Sequence, residues 1–146
     1  MQIQGSSLVK LPRARVWQLL NDPAVLARCT PGLSRLDREG ENRYAATFTV
    51  AIGPVKGNFN GHITVSDQVP EEAMTLTVNA KSPVGVIAAR GHLQLADEGP
   101  DTRVTWTGEP QLMGTLAAVG ARLVQSVAKS QVDTFFTRLE QEAAHT

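Results

Sequence analysis

After Pro110 the chain contains no further proline and no turn cluster until its end. Read as one helix from Gln111 to Ala144, this stretch would be roughly 45 to 50 Å long at about 1.5 Å per residue. In a chain of 146 residues a helix of that length has to be gripped by everything else. Its apolar pattern is uneven. One stripe reads Leu112, Leu116, Val119, Leu123, Val127 and stops, while a second reads Ala117, Ala121, Val124, Ala128, Val132, Phe135, Leu139, small at its start and bulky at its end. On a helical wheel the first half is apolar over roughly 200° of arc and the second over about half that. One flat contact explains one stripe, so the first half needs cover from two sides.

The remainder supplies that cover. Residues 2–11 alternate loosely and predict a first strand. Pro12 then suits a helix's first turn, with Val16, Leu19 and Leu20 on one face. Asn21-Asp22-Pro23 ends this helix and starts another, with Asp22 as N-cap and Pro23 at the first helical position, and Thr30-Pro31-Gly32 stops it. From Leu33 to Glu109 the period is two. Turns at Gly53-Pro54, Pro70-Glu71-Glu72, Ser82 to Gly85 and Asp97 to Asp101 divide about six strands. Tight turns at short spacing imply antiparallel hairpins with one dry and one wet face. The expected fold is α+β: a curved antiparallel sheet of about seven strands wrapped around a long C-terminal helix, with two short helices after strand 1, as a single domain over 1–146.

Charge narrows the function. Fourteen basic residues balance fourteen acidic ones, and no basic run or basic–aromatic interleaving gives electrostatic support to nucleic-acid binding. No secretory leader pattern opens the chain and no apolar run approaches the roughly 18 residues of a membrane span. A single cysteine, Cys29, forms no intrachain disulfide. The expectation is a cytoplasmic protein.

Motifs for catalysis are missing. There is no C-x-x-C, H-x-x-x-H, G-x-S-x-G, P-loop or dinucleotide fingerprint, so no metal, cofactor or catalytic residue is expected. His62 and His92 share the polar register of Asn58, Asn60, Thr64 and Gln94, which makes them solvent-facing strand histidines unless one turns inward as a general base. Cys29 reads as a small buried hydrophobe. Gly53, Gly57 and Gly61 surround a hairpin and serve as bend-formers rather than a phosphate cradle.

What remains is apolar. The dry register holds Phe48, Val50, Ile52, Phe59, Ile63, Met74, Leu76, Val78 and Trp106. Gly120 falls in the middle of the expected helix, where glycine costs roughly 1 kcal/mol relative to alanine. Either close packing or room for a ligand would favour it there. Together with Gly114, Ala117, Ala118 and Ala121 it makes a small-residue segment where two-sided cover is needed. A cavity between sheet and helix, lined by Phe48, Val50, Phe59, Leu76, Val78, Trp106, Leu116 and Gly120, fits both facts.

The order of elements resembles the helix-grip fold of the START and pollen-allergen-like (SRPBCC) superfamily. More specifically, the run Asn21-Asp22-Pro23-Ala24-Val25-Leu26-Ala27-Arg28-Cys29-Thr30-Pro31-Gly32 is similar to a stretch of the CoxG family, the G subunits of carbon monoxide dehydrogenase. So are Ile52-Gly53-Pro54-Val55-Lys56-Gly57 with Phe59, the run Gly114 to Leu123, and Phe135-Phe136. The resemblance implies an accessory protein of a molybdenum hydroxylase complex that takes a hydrophobic, quinone-like small molecule in the helix-grip cavity. It also implies membrane recruitment. With the sequence ending just after the helix, peripheral contact through the tip Pro83 to Ile87 is the expected form. Two alternatives stand beside this one: a polyketide cyclase or hydrolase of the same fold, and a structural adaptor with a filled core.

Overall fold

The computed structural model describes residues 2–144. Strand β1 (Ile3–Val9) leads into α1 (Arg13–Leu20) and α2 (Pro23–Cys29). Six strands follow: β2 (Leu33–Gly40), β3 (Arg43–Ile52), β4 (Val55–Val69), β5 (Ala73–Ser82), β6 (Gly85–Glu98) and β7 (Asp101–Gly114). A short 3-10 turn (Thr115–Val119) and the helix α3 (Ala121–Ala144) complete the order. The strands form one antiparallel sheet in the order β1-β7-β6-β5-β4-β3-β2, curved around α3. Successive hairpins make this a meander, with β1 returning beside β7.

Local chemistry explains the start. The Asp22 carboxylate accepts a hydrogen bond from the Ala24 backbone N–H at 3.0 Å, and Pro23 follows at the first helical position. Val16, Leu19 and Leu20 of α1 and Val25 and Cys29 of α2 are buried on the sheet's inner face.

The expected helix from Gln111 to Ala144 needs correction. Residues 111–114 extend β7, where Gln111, Leu112 and Met113 pair with Ala88, Ile87 and Val86. Pro110 is tolerated because it lies beyond the last β1 pairing, at Gly108, where one edge of β7 has no partner to lose. Gly114 (φ 79) and Gly120 (φ 88) bracket the 3-10 turn in backbone conformations that side chains disfavour. Gly120 is therefore the joint before α3 and not a mid-helix residue. The helix proper spans 24 residues, about 36 Å.

Candidate functional site

Strand registers sort the side chains between two faces. The inner face carries Phe48, Val50 and Ile52 of β3, Phe59, Ile63 and Val65 of β4, and Leu76, Val78 and Ala80 of β5, with Ile87, Ala89 and Leu93 of β6 in line with them. His62, Arg90 and His92 occupy the outer register. His62 Nε2 lies 3.1 Å from the Glu39 carboxylate, Arg90 pairs with Asp67 at 3.6 Å, and His92 Nδ1 shares a 3.0 Å hydrogen bond with the Thr75 hydroxyl. None of the three turns inward.

The inner face meets its cover in two separate apolar clusters. At one end Val9, Val16, Leu19, Leu20, Val25 and Cys29 pack with Met74, Leu95 and Val104 against Phe136 and Leu139 of α3, flanked by Val132 and Phe135. At the other end Phe59, Ile52, Ala80 and Leu116 are buried, with Phe48, Val50, Leu112, Val119, Leu123 and Val127 around them. Between the clusters run Ile63, Val78 and Ala89, paired in one row across β4, β5 and β6. These three point inward yet are only half-buried.

The path of α3 explains the gap. Its backbone runs close to α2, β1 and part of β3, and stands further from the middle strands. Three polar contacts fasten it along the β1 edge: Gln125 Nε2 donates to the Gln4 carbonyl at 3.1 Å, Ser7 Oγ donates to Asp133 at 3.2 Å, and the Lys10 amide donates to Glu140 at 2.8 Å. At its far end Glu142 accepts from Arg28 Nε of α2 at 2.8 Å, an ion pair that holds the Arg28 guanidinium more firmly protonated. The helix is thus tied to one edge of the sheet and reaches the strands opposite through the side chains of Leu123 and Val127.

The residues expected to line the space divide accordingly. Phe48, Val50, Phe59 and Leu116 meet in the second cluster, where the Phe48 and Phe59 rings stack with centroids 5.8 Å apart. Leu76 packs against the first cluster, and Val78 belongs to neither. Trp106 is buried, but its indole lies across Gly5 of β1, where a Cβ would come within 2.5 Å of Cζ2. Gly120 is exposed, and a Cβ there would touch nothing within 4 Å. Its glycine serves the positive φ of the joint and does not form a cavity wall. Ala117, Ala118 and Ala121 are likewise exposed.

One inner-face residue, which alternation places in the register of Ala46, Phe48, Val50 and Ile52, has a polar contact that the sequence does not show. Tyr44 sits in the same row as Ile63, Val78 and Ala89 and is buried. Its hydroxyl accepts from Arg38 Nη2 at 3.3 Å, and the Arg38 guanidinium stands 5.7 Å from the ring centroid. Alternation gives its inward register, but the contact with Arg38 depends on the β2–β3 pairing and carried no signal in the chain.

Other chemistry is sparse. Burial, reinforced by the Glu142 charge, pushes the Cys29 thiol above its ordinary value, which keeps it protonated and unreactive. Among the described residues no group of His, Cys, Asp and Glu could hold a metal ion, and no helix is long and apolar enough to cross a membrane. A recess of about 610 Å³ lies on the outer face, lined by Arg35, Thr47, Asn60, His62, Asn79 and Lys81 among others.

Comparison with known proteins fits this architecture. The family model for the G subunit of carbon monoxide dehydrogenase (CoxG) matches residues 5–144. A conserved protein from Geobacillus kaustophilus is 32% identical, with a TM-score of 0.92 over 99% of this chain and 96% of that one. A START superfamily protein from Mycobacterium smegmatis superposes with a TM-score of 0.76 at 10% identity, covering 99% of this chain and 97% of that one. The Zhui aromatase/cyclase from Streptomyces sp. R1128 gives 0.71 at 12% identity, covering 99% and 93%. At such identities the last two share the fold alone. No curated protein sequence matches the chain.

Proposed function

The chain belongs to the CoxG family, the G subunits of carbon monoxide dehydrogenase, and from that premise we propose a non-enzymatic accessory protein that carries a lipophilic, quinone- or isoprenoid-like molecule. The molecule occupies the space between α3 and the middle strands, and the protein serves a molybdenum hydroxylase of the carbon monoxide dehydrogenase type. One observation carries the ligand reading: Ile63, Val78 and Ala89 face inward at the centre of the sheet and are only half-buried. Apolar walls on both sides supply affinity at about 25 cal/mol per Å² buried. Phe48, Val50 and Phe59 bound the space at one end and Leu76 at the other. Tyr44, steadied by Arg38, is positioned to orient a ligand carbonyl by donating its hydroxyl proton.

A cyclase of the same fold would need an acid or base on the inner face. His62, His92 and Arg90 project from the outer one, and the inner-face Tyr44 hydroxyl has Arg38 for its partner and not a base, so the geometry favours binding over catalysis. Native mass spectrometry of the protein incubated with a bacterial lipid extract tests the proposal. A retained isoprenoid quinone, displaced when Val78 is enlarged to Phe, is the expected result. A spectrum showing only the bare chain under conditions that preserve the fold would reject it.

A further inference from the structure

One cation at the β2 edge of the sheet stands apart from its neighbours. On the outer face the charges there satisfy one another: Arg35 pairs with Asp37, and Glu39 takes both Arg43 at 3.6 Å and His62 at 3.1 Å. Arg38 lies in the opposite register, because its pairing with Tyr44 puts it in the row that continues through Ile63, Val78 and Ala89. Among the described residues it joins no ion pair. It rests on Tyr44 instead, with Nη2 3.3 Å from the hydroxyl and the guanidinium 5.7 Å from the ring centroid.

The chemistry of this pair favours an anion. A guanidinium is a planar fork of N–H donors with no acceptor, and Tyr44 occupies only part of it. Since the Tyr44 oxygen accepts from Arg38, its own proton is left to donate elsewhere. A neutral carbonyl uses one of these donors. A carboxylate, with two oxygens and a negative charge, uses the fork and the hydroxyl together. Arg38 is exposed and marks the rim, whereas Tyr44 is only 6% exposed and leads inward. Beyond Tyr44 the row is apolar as far as Ala89, three strand spacings or about 14 Å. The neighbouring inward row of Ala46, Gly61, Ala80 and Ile87 is apolar too.

We propose that Arg38 and Tyr44 form a head-group site for a carboxylate, so that the space beneath α3 also takes single-chain amphiphiles with an acid head. The carboxylate sits at the β2 edge, bonded by the Arg38 fork and the Tyr44 hydroxyl, and the chain lies across the strands along Ile63, Val78 and Ala89. Arg38 thereby gains the counter-ion that its neighbours in the sheet give to the outer-face cations. This site rests on the carrier reading, since it needs the space beneath α3 to be open. It adds a fixed polar end and a second class of cargo.

Titration calorimetry with decanoate and decanol at neutral pH, both kept below the concentration at which they aggregate, tests this. The two chains match, and an apolar space without a cation favours the alcohol, whose head is the easier to dehydrate. The protein should instead bind decanoate about five- to twentyfold more tightly than decanol. Arg38→Gln should reverse that order, and Tyr44→Phe should lower the ratio about two- to fivefold. Arg35→Gln removes a cation of the same strand from the outer face and should leave the ratio as it is. A preference for decanol in the unaltered protein, a ratio indifferent to Arg38→Gln, or an equal response to Arg35→Gln would overturn the head-group site and leave the carrier reading standing. Failure of both ligands to bind would overturn the two together.

Discussion

The two halves of α3 teach different lessons. From Val132 onward the helix carries Phe135, Phe136 and Leu139 into a cluster closed by α1, α2 and the lower strands. From Ala121 to Val127 it offers Leu123 and Val127 to a cluster with Ile52, Phe59 and Ala80 of the strands. The helix is clamped to α2 and to the β1 edge, so side-chain size decides how much of the concavity is filled. Bulky residues close one end, and in the middle Ile63, Val78 and Ala89 stay half-buried.

The contrast can be broken most sharply at the filled end. Leu139→Ala should cost about 2–5 kcal/mol, because a fully buried side chain leaves a cavity that the clamped helix cannot collapse into; urea denaturation measures it. Loss well under 1 kcal/mol would mean that this end is not packed. Gly120→Ala probes the joint between the halves and should cost about 1–3 kcal/mol, because φ 88 with ψ 153 is a region nearly confined to glycine. Quinone binding by that variant should persist, since a Cβ there touches nothing. Asp22→Ala removes the cap of α2, which braces the filled end, and should cost about 1 kcal/mol in the same assay. At the open centre Ala89→Leu should change stability by less than about 1 kcal/mol while lowering quinone affinity at least tenfold. Overpacking that destabilises by several kcal/mol would show the space to be already filled.

Cys29 adds a pH test of the same packing. Its folded pKa lies above the ordinary thiol value of 9.0, so burial contributes stability below that value and loses it as pH rises through the folded pKa. Alkylation by iodoacetamide at mildly alkaline pH should therefore proceed only on unfolding.

Much of this was legible in the chain. The α2 cap, the hairpin turns and the inner and outer registers follow from local rules, and His62 and His92 fall where alternation places them. The stripe Leu112, Leu116, Val119, Leu123, Val127 does converge on one cluster. It does so from a strand, a 3-10 turn and a helix, because residues 111–114 gain more by pairing with β6 than by starting a helix. A short apolar run fits both periods, and only the partner strand decides. Gly120 misled for a related reason: glycine marks either close approach or positive φ, and sequence does not distinguish them. The polar contact of Tyr44 stayed hidden because its partner Arg38 is brought to it by β2–β3 pairing.

The central claim is that the space beneath α3 takes a lipophilic ligand, and Trp106 fluorescence in a Trp17→Phe background measures it most directly. Trp106 is buried on the inner face in register with Leu93, with one inward-facing row, Leu76 and Gly91, between it and the row of Val78 and Ala89. Titration with a soluble isoprenoid quinone should quench it saturably, with the midpoint raised at least tenfold by Ala89→Leu. A response that is linear and identical in both proteins would contradict the account.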